Sequence, residues 1–282
     1  MISVDRLSFS YTKRPFIQDM SFCVENGEIF GFLGPSGAGK STLQKILTGI
    51  LTGYEGSVSV LGTQVRERKK DFYEHIGVDF EFPSLYEKLT ARENLDFFAS
   101  LYKKRAYSAM ELLKLVGLEN DADKRVEAYS KGMKSRLNFV KALAHDPELL
   151  FLDEPTSGLD PSNAAVMKEL IKAQREKGKT IILTTHNMYD AAELCDRVAF
   201  IVDAQLRALD TPHNFIMRGP ERALKYSWSE NGEEKSALTP LNAISGDEEL
   251  QYLINNNKLL TTHTTEHTLN DVFIELTGRR LV

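Results

Sequence analysis

Residues Gly34-Pro35-Ser36-Gly37-Ala38-Gly39-Lys40-Ser41 follow the pattern G-x-x-x-x-G-K-[ST], whose chemistry is the capture of phosphate groups. Glycines at 34, 37 and 39 free the backbone to turn several N–H groups toward one anion. A helix opening at Lys40, continuing through Ser41 and Thr42, adds its positive end. Lys40 can reach the outer phosphates of a nucleotide, and the Ser41 hydroxyl can ligate Mg²⁺. A second chemical segment, Leu149-Leu150-Phe151-Leu152-Asp153-Glu154, is an apolar run ending in two carboxylates. A strand here would deliver Asp153 to the sheet end where α/β folds hold ligands. Asp153 is then a candidate for holding Mg²⁺ through water, and Glu154 for polarising an attacking water. A nucleotide and Mg²⁺ are therefore expected at these two segments.

These groups need a scaffold that places a loop and a strand end side by side. Ile29 to Leu33 is a short apolar run fit for a buried strand, ending at the glycine loop. Ile2 to Tyr11 and Ser21 to Val24 alternate roughly apolar and polar, as strands do. Residues 84–145 read as helical. Thr90 and Glu93 have capping-box spacing, Ser108 and Glu111 repeat it, and Gly117 can close the second helix in the left-handed conformation. A third helix starts after Ser130, with Met133, Leu137, Val140 and Leu143 at helical spacing. Thr180 to Thr185 reads as a strand, residues 162–177 and Asp190 to Cys195 as helices, and Arg197 to Leu209 as a hairpin. Strands alternating with helices imply an α/β fold with a mainly parallel sheet, which residues 84–145 interrupt as an inserted helical block. After residue 217 the texture changes. Lys225 to Ser229 reads as a strand and Asp247 to Asn255 as a helix, so residues 1–217 are expected as the main domain and 218–282 as a small α+β appendage.

The bulk properties narrow the function. The 282 residues are 42% hydrophobic and 27% charged, with a net charge of −5. Such a chain lacks the basic surplus that holds nucleic acid through phosphate contacts. Cys23 and Cys195 are far apart and form no metal pattern, which suits a reducing compartment. The start, MISVDRLSFSY, has no long apolar core, and no window reaches 18 consecutive apolar residues. Any work at a membrane therefore goes through a partner. The pair His263 and His267 has no third ligand and reads as part of a solvated turn rather than a metal site.

The two phosphate-site segments make the chain a P-loop NTPase in type. Further segments then resemble ATP-binding-cassette (ABC) proteins. Tyr129-Ser130-Lys131-Gly132-Met133 stands about 20 residues before the acidic strand end and is similar to that family's Leu-Ser-Gly-Gly-Gln signature, keeping Ser130 and Gly132. Ser130 is equally a helix N-cap. Ser157-Gly158-Leu159-Asp160 resembles the family's D-loop, and His186 its switch histidine. Tyr11 resembles the aromatic that stacks on adenine, with Phe16 as the competing candidate. Glu81 stands where the family has a Gln that ligates Mg²⁺, and a carboxylate can do the same.

The resemblance covers residues 1 to about 217. It implies that Glu154 and His186 are catalytic and that the loop from Gly34 to Thr42, with Tyr11, binds ATP. Ser41, Asp153 and Glu81 would hold the metal. Ser130, Lys131 and Gly132 would contact the ATP of a second ATPase subunit, in a homodimer or heterodimer, with Asp160 at the interface. Tyr86 to Leu95 and Thr268 to Gly278 resemble exporter-type and drug-efflux-type subunits. They imply integral membrane permease partners and a cytoplasmic place on the inner face of the cell membrane. The competing expectations are a soluble ABC protein outside transport, and a module that binds ATP without hydrolysing it.

Overall fold

The computed structural model describes residues 1–12, 16–80, 84–218, 223–230, 232–265 and 267–278. The chain divides into two compact units, Met1–Pro212 and His213–Arg280. The first begins with β1 (Ile2–Phe9), β2 (Ile17–Val24), β3 (Ile29–Leu33), α1 (Lys40–Leu47), β4 (Tyr54–Val60), β5 (Thr63–Gln64) and β6 (Ile76–Asp79). Helices α2 (Ala91–Ala99), α3 (Ala109–Leu115) and α4 (Lys131–Lys141) follow. It then alternates through β7 (Leu149–Asp153), α5 (Pro161–Glu176), β8 (Thr180–Thr185), α6 (Met188–Leu194), β9 (Arg197–Val202) and β10 (Gln205–Asp210), and α7 spans Pro212–Met217.

Two sheets organise this unit. One has six strands in the order β10-β9-β3-β8-β7-β6, with β9, β3, β8, β7 and β6 parallel and β10 antiparallel at the edge. Every residue of β3, β7 and β8 is buried, as central parallel strands covered on both faces must be. The other sheet, β2-β1-β4-β5, is antiparallel. The sequence reading had two of its strands but not β4 or the sheet itself. Tyr54 to Val60 carries glycine and two serines, so its alternation is weak, and its pairing partner lies in the chain's first residues. Phe22, Phe30 and Phe32 pack between the sheets with ring centroids 5.2–5.9 Å apart. Fully burying each such ring is worth roughly 1.5–3 kcal/mol.

The helical block is built from local signals. Thr90 and Ser108 accept from the backbone N–H of Glu93 and Glu111, whose carboxylates return the bond. Gly117 takes φ +65° after α3. α6 starts two residues before the expected Asp190, because the Asn187 side chain caps it by accepting from Tyr189 N and Asp190 N.

The second unit holds β11 (Ala223–Glu230), β12 (Glu233–Pro240), α8 (Glu248–Asn255), β13 (Leu259–Thr265) and α9 (Leu269–Thr277). Its antiparallel sheet, in the order β12-β11-β13, shares a small core of Tyr226, Trp228, Leu250 and Leu253 with α8. Asp247 caps α8 at Leu250 N, 2.9 Å away, and accepts from Tyr226 Oη at 3.1 Å. His263 lies on β13, paired with Lys225, and not in a turn. Six of that strand's seven residues are exposed, so burial left no apolar alternation to read. His267 faces Glu275 at 3.4 Å, and no group of three metal-ligating side chains occurs among the described residues.

Candidate functional site

The parallel strands end in register. Leu33 pairs with Thr185, Asp153 with Thr184, and Asp79 with Leu152. The residues just beyond them, Gly34, Glu154 and His186, therefore meet at the C-terminal ends of the central strands. Phe16, Ser36, Gly37, Ala38, Gly39, Lys40, Ser41, Thr42, Asp153, Glu154 and His186 line a single cleft of about 250 Å³.

The loop geometry depends on its glycines. A Cβ on Gly34 would lie 2.0 Å from the Ile201 carbonyl oxygen, so only glycine lets the loop pass β9 so closely. Gly39, at φ +103°, immediately precedes α1. Lys40 Nζ donates to the carbonyls of Gly34 at 2.7 Å and Pro35 at 3.2 Å, inside the loop.

Glu154 is the centre of the charged groups. Its carboxylate stands 3.8 Å from Lys40 Nζ and 2.9 Å from His186 Nδ1. Lys40 and Glu154 are largely buried, whereas the His186 side chain is 45% exposed. Glu154 has φ +50°, a left-handed conformation that costs a non-glycine residue about 1–3 kcal/mol and persists only where the surroundings impose it. Glu154 N donates to Thr184 O at 3.0 Å, and Ser157 N returns to Glu154 O at 3.0 Å, fixing that turn.

The metal expectation can be tested on the donor set. Asp153 is 8% exposed and accepts from the Thr184 hydroxyl. It shares the cleft with Ser41, so a carboxylate and a hydroxyl, both hard oxygen donors, face one volume. That set fits Mg²⁺, which takes one or two protein ligands and completes its shell with water and substrate phosphates. Glu81, the other metal candidate, lies outside the described residues.

Of the two aromatic candidates, Phe16 lines the cleft and its ring lies over Gly39, where a Cβ would approach it to 3.5 Å. Tyr11 is 57% exposed and does not line the cleft, but its hydroxyl is 3.0 Å from Thr42 Oγ1 and its ring stands edge-on to Phe16 at 5.6 Å. Both rings therefore border the loop's outer side.

Ser130, Lys131 and Gly132 are not in the cleft; Lys131 and Gly132 lie against the segment from Ser157 to Asn163. A Cβ on Gly132 would lie 2.6 Å from Asn163 Cγ, and one on Gly158 would lie 1.9 Å from Lys131 Nζ. Asp160 caps α5, accepting from Ser162 N and Asn163 N at 3.1 Å. The Ser130 hydroxyl accepts from Met133 N at 3.2 Å as an N-cap.

A second recess of about 280 Å³ separates α4 from the segment Asp153 to Leu159 and is also lined by Asp79. Burial pushes the Asp79 carboxyl up to about 7, while Lys141 and the Asn138 amide pull it down. Burial likewise lowers Lys141, so for this pair desolvation outweighs mutual attraction. The sequence reading passed over Asp79, Asn163 and Thr184. Thr184 is 31 residues from the carboxylate it holds, and no local pattern marks such a partner.

A glycine loop between strand and helix, an acidic strand end beside it and a cleft shared by both where the parallel strands end define a P-loop nucleotide hydrolase. The family model described as ABC transporter matches residues 17–157. A fluoroquinolones export ATP-binding protein of Mycobacterium tuberculosis is 47% identical over 100% of this chain and 94% of its own length. The Nod factor export ATP-binding protein I of Rhizobium meliloti is 37% identical over 99% of this chain and 89% of its own. The solved ATP-binding subunit of an ABC transporter is 30% identical, with a TM-score of 0.70 over 77% of this chain and 92% of that one. The chain belongs to the ABC transporter family and is its ATP-binding, ATP-hydrolysing type of subunit.

Proposed function

We propose that this chain is the motor of an exporter: it hydrolyses ATP in the cleft between the glycine loop and Glu154 and drives a separate membrane permease. The observation that carries the chemistry is the Glu154 carboxylate standing between Lys40 and His186. Backbone N–H groups of residues 36–42 and the Lys40 side chain bind the phosphates, and Phe16 or Tyr11 covers the base. Glu154 orients the attacking water and accepts its proton. Lys40 and His186 stabilise charge on the γ-phosphoryl group as it transfers in line. Ser41 and Asp153, with Glu81 as a further candidate, would hold Mg²⁺, which would neutralise charge on the phosphate oxygens.

Ser130, Lys131 and Gly132 lie outside their own chain's cleft. We infer that they serve the nucleotide of a second ATPase subunit packed head to tail by a two-fold axis, with Asp160 along the interface. Among the described residues no helix is long and apolar enough to cross a membrane; in this reading the chain attaches to the inner face through its permease. Export is supported by the relatives named above, and the cargo path would belong to the permease.

The test is Glu154→Gln. Removing a general base costs about 10²–10⁴ in rate, so turnover should fall at least about 100-fold while ATP binding persists and a nucleotide-bound dimer accumulates. Near-normal turnover would remove Glu154 from this role.

A further inference from the structure

Glu154 and His186 reach each other from two separate segments, and their 2.9 Å approach needs something to hold it. The Glu154 turn is backbone-strained at φ +50°. His186 is half exposed and begins the connection to α6. Behind the cleft, the two segments meet at one buried carboxylate. Asp190 is 8% exposed. Its Oδ2 accepts from Thr156 Oγ1 at 2.7 Å, two residues past Glu154, and from Asn187 Nδ2 at 3.1 Å, next to His186. Its Oδ1 lies 3.6 Å from Lys168 Nζ on α5, the helix that Asp160 caps. Lys168 also pairs with Glu193. Neither Thr156, Asp190 nor Lys168 lines the nucleotide cleft.

A charge-assisted hydrogen bond is about twice as strong as a neutral one, and a buried carboxylate is costly to leave unpaired. The Thr156–Asp190 bond therefore resists separation of the segments it joins, and Lys168 keeps the carboxylate compensated. We propose that Thr156 and Asp190 are positioning residues that set the spacing of Glu154 and His186 for ATP hydrolysis, an inference that rests on the roles proposed above for those two side chains. The clamp does not touch the phosphate loop, so it acts on turnover and leaves ATP capture alone.

Thr156→Val keeps the shape and removes the hydroxyl; Thr156→Ser keeps the hydroxyl. In steady-state hydrolysis by the full chain, Thr156→Val should lower kcat about tenfold, because misplacement of about 1 Å at a reacting site can cost up to 10². KM for ATP should stay within about twofold, and Thr156→Ser should turn over at close to the wild-type rate. Asp190→Ala should be at least as slow as Thr156→Val, and the double variant should be no slower than the slower single one, since the Thr156–Asp190 bond is lost in all three. Unfolding midpoints and nucleotide binding accompany each rate. Wild-type kcat in Thr156→Val, kcat and KM shifting together, or multiplicative losses in the double variant would each overturn the clamp, as would unfolding of both single variants. Glu154→Gln in the same assay separates the two readings. An inactive Glu154→Gln beside a fully active Thr156→Val removes only the clamp, whereas an active Glu154→Gln removes the catalytic assignment itself.

Discussion

Gly132→Ala sets two effects of opposite sign against each other. In a helix, Ala is better than Gly by up to about 1 kcal/mol, and Gly132 is the second residue of α4. Taken alone, the exchange stabilises. The new Cβ, however, would lie 2.6 Å from Asn163 Cγ, 2.7 Å from Nδ2 and 2.8 Å from Oδ1. That amide is not free to swing away, because Nδ2 donates to Asp160 Oδ2 at 2.5 Å and Asn163 N donates to Oδ1 at 3.1 Å. Overpacking of this kind costs about 1–3 kcal/mol, and loosening a hydrogen bond to a carboxylate about 1.5–3 kcal/mol. The net expectation is a loss of about 1.5–5 kcal/mol, or roughly 3–20 °C in Tm for a unit of this size. The one tryptophan, Trp228, lies in the second unit, so unfolding of the first is best followed by far-UV circular dichroism in denaturant. Asn163→Ala removes the obstacle. In that background Gly132→Ala should be neutral or stabilising, a coupling of at least about 1 kcal/mol. A stabilising Gly132→Ala in the otherwise wild-type chain, or an equal effect in both backgrounds, would refute the packing argument.

Gly34→Ala meets a backbone atom, the Ile201 carbonyl oxygen at 2.0 Å, and backbone cannot rotate aside. The loop must shift, and titration with a fluorescent ATP analogue should show affinity reduced at least about tenfold, or 1.4 kcal/mol; wild-type affinity counts against the close approach. For pH, the informative group is His145, stacked on Tyr102 at 3.6 Å with Nε2 3.0 Å from Ile76 O. Its Nδ1 is buried with no hydrogen-bond partner, and burial holds its pKa below the ordinary value. Below about pH 6.5 the unfolded chain therefore takes up a proton that the folded chain resists, and stability falls as pH falls. His145→Gln should lose less stability than wild type between pH 7.5 and 5.5 in denaturant titrations; equal losses would clear His145.

How much was legible before the structure depends on the range of the interaction concerned. The phosphate loop, the capping boxes at Thr90 and Ser108 and the apolar runs of β3, β7 and β8 are local. Each is a spacing or a composition that acts within a few residues. They determined the α/β class, the helical block and the residues placed in the cleft, and the order of motifs along the chain carried the family resemblance. The antiparallel sheet was missed because β4 pairs with β1 across about 50 residues and its own alternation is weak. The β13 strand was missed because it is nearly all exposed. Within the site, residue types showed that Glu154 and His186 could do chemistry. Only the register of the parallel strands, Asp153 beside Thr184 and Leu33 beside Thr185, decided that they stand 2.9 Å apart. Likewise Ser130 was readable both as a cap and as a signature residue. The folded chain makes it a cap whose neighbours rest on Asn163 and Gly158, because helix packing brings distant backbone together at a distance set by glycine. Sequence patterns specify which groups are present and the elements that carry them; the separations on which hydrolysis depends arise from sheet register and packing between segments that local spacing does not connect.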